Sequence, residues 1–156
     1  GGRATGRRSG RGEGERRDRE AWSGRRGEAV ETATRRGVLI GHSGGVCSIA
    51  HAADRSAERV VGAFLGCAPA AARLQAMRAV DPACAEVPRA PLPFPAVLIA
   101  SRDDEYASYV ESEALAKDWH VELVDAGASG HINDESGHGP WPDGLLRVAG
   151  FLKGLS

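Results

Sequence analysis

The strongest constraint on the fold is a repeated alternation of short apolar runs with helix-like stretches after Gly37. Each run is rich in aliphatic residues and stops at glycine, proline or a polar turn, as buried strands do. The four predicted strands are 38–42, 60–67, 96–101 and 121–126. Continuous apolar strands separated by helices are typical of a parallel sheet covered on both faces. The sequence therefore predicts the α/β fold class.

Helix-like stretches fill the intervals between these runs and follow the last of them. A loop is predicted over 81–95, because this segment holds five of the eight prolines and proline lacks the N–H that helices and central strands need. The predicted helices are 44–53, 70–80, 106–119 and 144–152. Each predicted strand is thus followed by a helix, which is the arrangement that a parallel sheet requires.

The first 36 residues differ in charge from the rest of the chain. They hold 11 arginines and 6 acidic residues, whereas residues 37–156 hold 9 basic and 15 acidic ones. Residues 1–20 contain almost no apolar side chains and cannot bury enough surface to offset the entropy of ordering. We therefore predict a disordered Arg/Gly-rich segment over 1–20 and one domain over 21–156, which opens with a weak amphipathic helix over 21–36.

Composition also limits the compartment and the partners. Cys47, Cys67 and Cys84 form no CxxC pair, and their odd number favours free thiols in a reducing cytoplasm. No apolar run approaches the ~20 residues of a membrane helix. In the arginine-rich head, interleaved acids and a single aromatic residue, Trp22, disfavour nucleic-acid binding. We expect a cytoplasmic protein without a membrane or nucleic-acid partner, and the sequence identifies no protein partner.

A G-x-S-x-G motif lies where the first strand ends and the next helix begins, at Gly41-His42-Ser43-Gly44-Gly45. In this setting the motif predicts a nucleophile elbow, a sharp turn that exposes the serine hydroxyl. The glycines leave room for the turn, and the Gly44 N–H is the candidate oxyanion donor. The alternative is a serine that only caps the helix, since serine and glycine are common in turns.

Two later loops carry side chains that could activate this serine. Asp103 and Asp104 follow the third strand, and His131 follows the fourth. The chain order Ser, Asp, His beyond successive strand ends is that of α/β-hydrolases. A histidine can take the serine proton, and a carboxylate can orient the histidine. These residues alone leave open which acid does so, and acids at a helix start can also merely offset the helix dipole.

The same loop also contains four residues of types that bind metal ions. His131, Asp134, Glu135 and His138 lie within eight residues, but their spacing matches no familiar metal motif. The sequence therefore predicts neither a metal nor another cofactor. We also interpret His42, His51 and His120 as structural or solvent-facing, because the sequence suggests no partner for them.

Three stretches resemble the YdeN-like and retinoblastoma-binding-protein-9-like serine hydrolases, a small family of α/β-hydrolase fold. They are VLIGHSGG, PLPFPAVLIASRDDEYASY and AGASGHINDESGHGPWPDG, and the likeness runs from about residue 22 to residue 155. The resemblance implies that Ser43 is the nucleophile and His131 the base. It implies Asp104 as the orienting acid, with Asp103 as runner-up. The family's usual motif has an apolar residue where this chain has Gly44.

The resemblance also implies a strand and a glycine-rich loop at the front of the domain, where the loop supplies a second oxyanion N–H. Residues 1–20 contain no strand-like run, so we expect an N-terminally truncated domain that keeps only the Gly44 N–H. Losing one such donor costs about 10²–10³ in rate. The predicted function is hydrolysis of a small-molecule ester, thioester or amide through an acyl-enzyme, weakened by this loss. The alternative is a non-catalytic remnant or protein-binding domain.

Overall fold

The computed structural model describes residues 36–76 and 85–155. Its four strands form one parallel sheet in the order β1-β2-β3-β4. The strands are β1 (Gly37–His42), β2 (Val60–Gly66), β3 (Ala96–Ala100) and β4 (Glu122–Asp125). Every strand bound lies within one residue of its predicted position. The predicted α/β class with a parallel sheet is confirmed.

Four helices accompany the strands in the described residues, and the third of them begins three residues later than predicted. Ser108 and Glu111 form a capping box, in which the Ser108 hydroxyl accepts from the Glu111 N–H and the Glu111 carboxylate accepts from the Ser108 N–H. Because of this cap, the third helix begins at residue 109 and not at the predicted residue 106. The helices are α1 (Gly44–Ser56), α2 (Ala71–Ala76), α3 (Tyr109–Trp119) and α4 (Pro142–Gly154).

The helices cover both faces of the sheet, because neighbouring residues of a strand point to opposite sides. On one face, α1 and α3 pack around Leu65, Leu98 and Trp119, each about 1% exposed. On the other face, Phe151 of α4 packs against Phe64 of β2. The two apolar clusters therefore hold α1 and α3 on one face of the sheet and α4 on the other. Loops form the edge of the sheet at which the strands end.

All four strands end at the same edge of the sheet because they run parallel. Most of the non-glycine residues with a strained, positive φ lie in the loops beyond this edge. Four non-glycine residues of the described part have positive φ, and three of them, Ser43, Cys67 and Ile132, lie in these loops. Such conformations cost free energy and persist only where surrounding contacts hold them, which is common at functional sites.

Several predictions concern residues outside the described part of the chain. They are the disordered segment over 1–20, nearly all of the weak helix over 21–36, residues 77–80 of the predicted second helix, and Cys84. The domain boundary at residue 20 therefore stays a prediction. Over the residues that the structure describes, no helix combines the length and the apolar character needed to cross a bilayer.

Candidate active site

Ser43 occupies the sharp turn between β1 and α1, with φ 54° and ψ −126°. Its N–H donates to the Gly66 carbonyl over 3.0 Å, and its carbonyl accepts from the Val46 N–H over 2.9 Å. The turn is tight enough that a Cβ on Gly41 would lie 2.7 Å from Cδ1 of Ile49. The Ser43 side chain does not cap α1, so the helix-cap alternative is wrong.

A chain of hydrogen bonds joins Ser43, His131 and Asp104. The Ser43 Oγ lies 2.9 Å from His131 Nε2, and His131 Nδ1 lies 3.0 Å from both carboxylate oxygens of Asp104. The side chains of His131 and Asp104 are 6% and 3% exposed. A carboxylate only accepts, so Nδ1 carries the ring proton and Nε2 is left to accept from the serine hydroxyl. The structure thus brings together the three residues that the resemblance singled out.

Asp103 points away from the imidazole and holds the backbone of the histidine loop. Its Oδ1 accepts from the Gly130 N–H over 2.7 Å and from the Ser101 hydroxyl over 2.8 Å. These two bonds, the Gly130 one first, hold the pKa of Asp103 below its usual value. The two adjacent acids therefore make different contacts, and Asp104 is the one that faces the ring.

The histidine loop is held by its own side chains. Gly130 has φ 54°, and a Cβ there would lie 2.5 Å from the Ser136 Oγ, so the position requires glycine. The Ser136 hydroxyl accepts from the His131 N–H over 3.0 Å and donates to Oδ1 of Asn133 over 2.7 Å. Ile132 has φ 49° and packs into the apolar cluster under α4. This network presents the His131 ring in one orientation.

Tyr106 contributes to the site, although sequence reasoning assigned it no role. Its N–H donates to Oδ1 of Asp104 over 2.8 Å, and its ring centroid lies 4.3 Å from that of His131. An aspartate that accepts from the backbone two residues later forms an Asx turn, so the Asp-x-Tyr spacing was the available signal. Tyr106 fixes the carboxylate and covers one side of the imidazole.

His42 and Cys67 also lie close to His131. His42 Nε2 is 2.8 Å from the His131 carbonyl oxygen. His42 is exposed and makes a structural hydrogen bond, which agrees with its interpretation as structural or solvent-facing and adds a partner that the sequence did not suggest. The Cys67 Sγ and a ring nitrogen of each histidine lie within 4.8 Å of one another. Burial raises the pKa of the Cys67 thiol, and the charge of Asp104 and a hydrogen bond to it raise the pKa further. A metal would need the thiolate and would compete with the Ser43 and Asp104 bonds of His131, so this chemistry disfavours a metal site.

The four loop residues considered as metal ligands, His131, Asp134, Glu135 and His138, do not form a cluster in the part of the chain that the structure describes. Asp134 and Glu135 are exposed in a short 3₁₀ turn, while the His131 ring is buried and bonded to Ser43 and Asp104. No group of possible metal ligands there joins His131 to its three sequence neighbours.

Two further features frame the site. Gly44 is the first residue of α1, where N–H groups have no acceptor within the helix and can serve a developing negative charge. A cavity of about 360 Å³ is lined by alanines of the loop after β2 and of the start of α2, by Glu86, Val87 and Arg89, and by α3. Ser43, Asp104 and His131 are not among its lining residues, so it lies apart from the serine hydroxyl.

Comparison with known proteins decides the family. The family model described as serine hydrolase matches residues 7–149. The chain belongs to the serine hydrolase family. This hydrolase is also similar to a YdeN-like hydrolase from Pectobacterium atrosepticum, with 31% identity, a TM-score of 0.73, and coverage of 88% of this chain and 71% of that one. The resemblance to YdeN-like hydrolases is confirmed.

Two more distant solved structures share the fold. The ydeN gene product of B. subtilis is 19% identical, with a TM-score of 0.65, and the match covers 86% of this hydrolase and 75% of that chain. A thermophilic esterase is 14% identical, with a TM-score of 0.67, and the match covers 88% and 74%. No curated protein sequence matches the chain. These likenesses agree with the α/β-hydrolase fold.

Proposed function

We propose that Ser43, His131 and Asp104 form a catalytic triad that hydrolyses a small ester, thioester or amide. The single observation that supports this most is the continuous hydrogen-bond chain from the Ser43 hydroxyl through both ring nitrogens of His131 to Asp104. The contacts of the two acids support Asp104 over Asp103 as the orienting acid, because Asp103 accepts from Gly130 and Ser101 instead.

The first half of the reaction forms an acyl-enzyme. Ser43 Oγ attacks the carbonyl carbon of the substrate while its proton passes to His131 Nε2. Asp104 holds the Nδ1 proton and stabilises the imidazolium that results. The carbonyl oxygen becomes negatively charged and accepts from the Gly44 N–H at the start of α1. His131 then gives its proton to the leaving alcohol, thiol or amine as the carbon–heteroatom bond breaks.

The second half reverses these roles with water. His131 takes a proton from a water molecule, whose oxygen attacks the acyl carbon. The tetrahedral intermediate collapses, the Ser43 ester bond breaks, and the serine recovers its proton from His131. The carboxylic acid leaves, and the enzyme returns to its starting state. The His131 and Asp104 side chains are almost fully buried, and burial strengthens the charge interactions between them in this cycle.

A fluorophosphonate probe tests the proposal, because it labels only an activated serine. We expect labelling of the wild-type chain at Ser43, located by peptide mass mapping, and none in Ser43→Ala. Ser48→Ala is the matched control, since this serine lies one turn along α1 and only contacts the Gly44 carbonyl. It should label like the wild type.

Ester hydrolysis completes the test. Wild-type chain should hydrolyse p-nitrophenyl acetate, and Ser43→Ala and His131→Ala should lose nearly all of this activity. A folded wild type that neither labels nor hydrolyses would favour the non-catalytic alternative. Unchanged hydrolysis in Ser43→Ala would show that another group carries the reaction.

A further inference from the structure

His42 immediately precedes Ser43, yet its hydrogen-bond partner lies 89 residues away. Its Nε2 is 2.8 Å from the backbone carbonyl oxygen of His131. A carbonyl only accepts, so His42 must carry a proton on Nε2 and donate it. The last residue of β1, next to the serine, is thereby bonded directly to the backbone of His131.

This bond completes the fixation of the His131 backbone. The His131 N–H donates to the Ser136 hydroxyl, and its C=O accepts from His42, so side chains hold both of its polar backbone groups. The next residue, Ile132, has φ 49°, a conformation that β-branched residues rarely adopt. A strained turn of this kind keeps its geometry only while neighbouring contacts hold it.

The His42 ring also limits where the His131 ring can move. The two ring centroids are 4.9 Å apart at an angle of 55°, and the Tyr106 ring lies 4.3 Å from the His131 centroid. The imidazole of His131 therefore has an aromatic neighbour in His42 and another in Tyr106.

We propose that His42 is a positioning residue, whose Nε2–H holds the His131 carbonyl so that the imidazole stays within hydrogen-bond reach of Ser43. This inference rests on the proposed function, because the position of His131 matters for rate only if His131 is the base. His42 itself touches neither substrate nor the reacting atoms. Its effect passes through the backbone of His131, and a displacement of about 1 Å at a catalytic group can cost about 100-fold in rate.

The test compares two variants at this position. His42→Leu removes the donor, whereas His42→Gln places a side-chain N–H at similar reach. We expect His42→Leu to lower kcat for p-nitrophenyl acetate by about 10- to 100-fold with KM little changed. His42→Gln should recover most of the loss. The exposed His120 at the end of α3 supplies the control, and His120→Asn should match the wild type, because asparagine tolerates its positive φ.

Two outcomes would overturn the proposal. A His42→Leu variant as active as the wild type would show that the bond does not position His131. Equal losses of kcat in His42→Leu and His42→Gln would show that the ring, and not its N–H, matters.

A nitrogen-15 spectrum of the histidine side chains decides the point independently of activity. The wild type should show His42 protonated on Nε2, and His42→Leu should shift the ring signals of His131 while His42→Gln restores them. If the wild-type chain is inactive but these shifts appear, the proposed function fails and the positioning contact stands. If the wild type is active and the His131 signals do not respond to His42→Leu, the positioning inference fails alone.

Discussion

The Gly130 N–H donates to Asp103 Oδ1 over 2.7 Å, one residue before the histidine whose ring faces Asp104. Asp103 thus holds the backbone of the histidine loop, and the adjacent Asp104 holds the side chain of His131. The two carboxylates differ in direction, because Asp104 also accepts from the Tyr106 N–H in an Asx turn that directs it toward the His131 ring. Substitutions at the two positions should therefore have different consequences.

Asp104→Asn should lower kcat by on the order of 10³, because an amide cannot stabilise the imidazolium and can favour the wrong tautomer. Asp103→Asn should cost much less activity, since its amide oxygen can still accept from Gly130. Steady-state hydrolysis of p-nitrophenyl acetate by both variants measures the difference. Equal losses at the two positions, or a larger loss at Asp103, would contradict the assignment of the orienting acid.

Asp103 should instead contribute to stability in a pH-dependent way. Its pKa is lowered in the folded state from 3.8, so its contribution to the free energy of unfolding is present above that pH and is lost as pH falls through the folded-state value. Asp103→Asn should be less stable than the wild type at pH 7, and the difference in the free energy of unfolding should be smaller at pH 3. Urea unfolding at both pH values checks this, and a gap that widens in acid would contradict it.

Gly41 and Gly44 form a matched pair around Ser43. Gly41→Ala should destabilise the chain by about 1–3 kcal/mol, because the added Cβ would lie 2.7 Å from the Ile49 side chain and 3.2 Å from the backbone of α1. Gly44→Ala meets nothing within 4 Å and keeps its N–H, so it should stabilise α1 by about 0.5–1 kcal/mol and retain activity. Thermal unfolding and labelling of both variants measure these effects.

Cys67 should make the chain less stable in alkali. Its pKa is raised well above the ordinary 9.0 in the folded state, so above pH 9 the unfolded chain releases a proton that the folded chain keeps. The free energy of unfolding should fall with rising pH by at most about 1.4 kcal/mol per unit from this group. Cys67→Ser should show a shallower decline between pH 8 and 10 by urea unfolding, and an equal slope would count against it.

Two expectations from the sequence disagree about the arginine-rich residues 1–20. Composition predicts that residues 1–20 lack packed structure, whereas the family match begins at residue 7. If composition prevails, amides of 1–20 should exchange with deuterium almost at once while those of β1 stay protected. Comparable protection across 7–20 would contradict the predicted domain boundary, and with it the expectation of an incomplete oxyanion hole.

The sequence by itself determined the strands and the chemical groups that lie beyond them. Runs such as AVLIA are apolar throughout and stop at polar turns, so each strand could be located to within one residue, and the order of Ser43, Asp104 and His131 could be read along the chain. Strand positions depend on local patterning and burial, which a sequence carries directly. The start of α3 was less well predicted, because the capping box at Ser108 was overlooked.

Only the tertiary structure decided which side chains meet. The choice between Asp103 and Asp104 depends on the direction of each side chain relative to a loop 27 residues away, and the partner of His42 lies 89 residues away. Such contacts follow from the register of parallel strands and from strained turns such as the one at Ile132, whose positive φ no local pattern specifies. The sequence therefore supplied the candidate groups, and the packing of the sheet supplied their pairing.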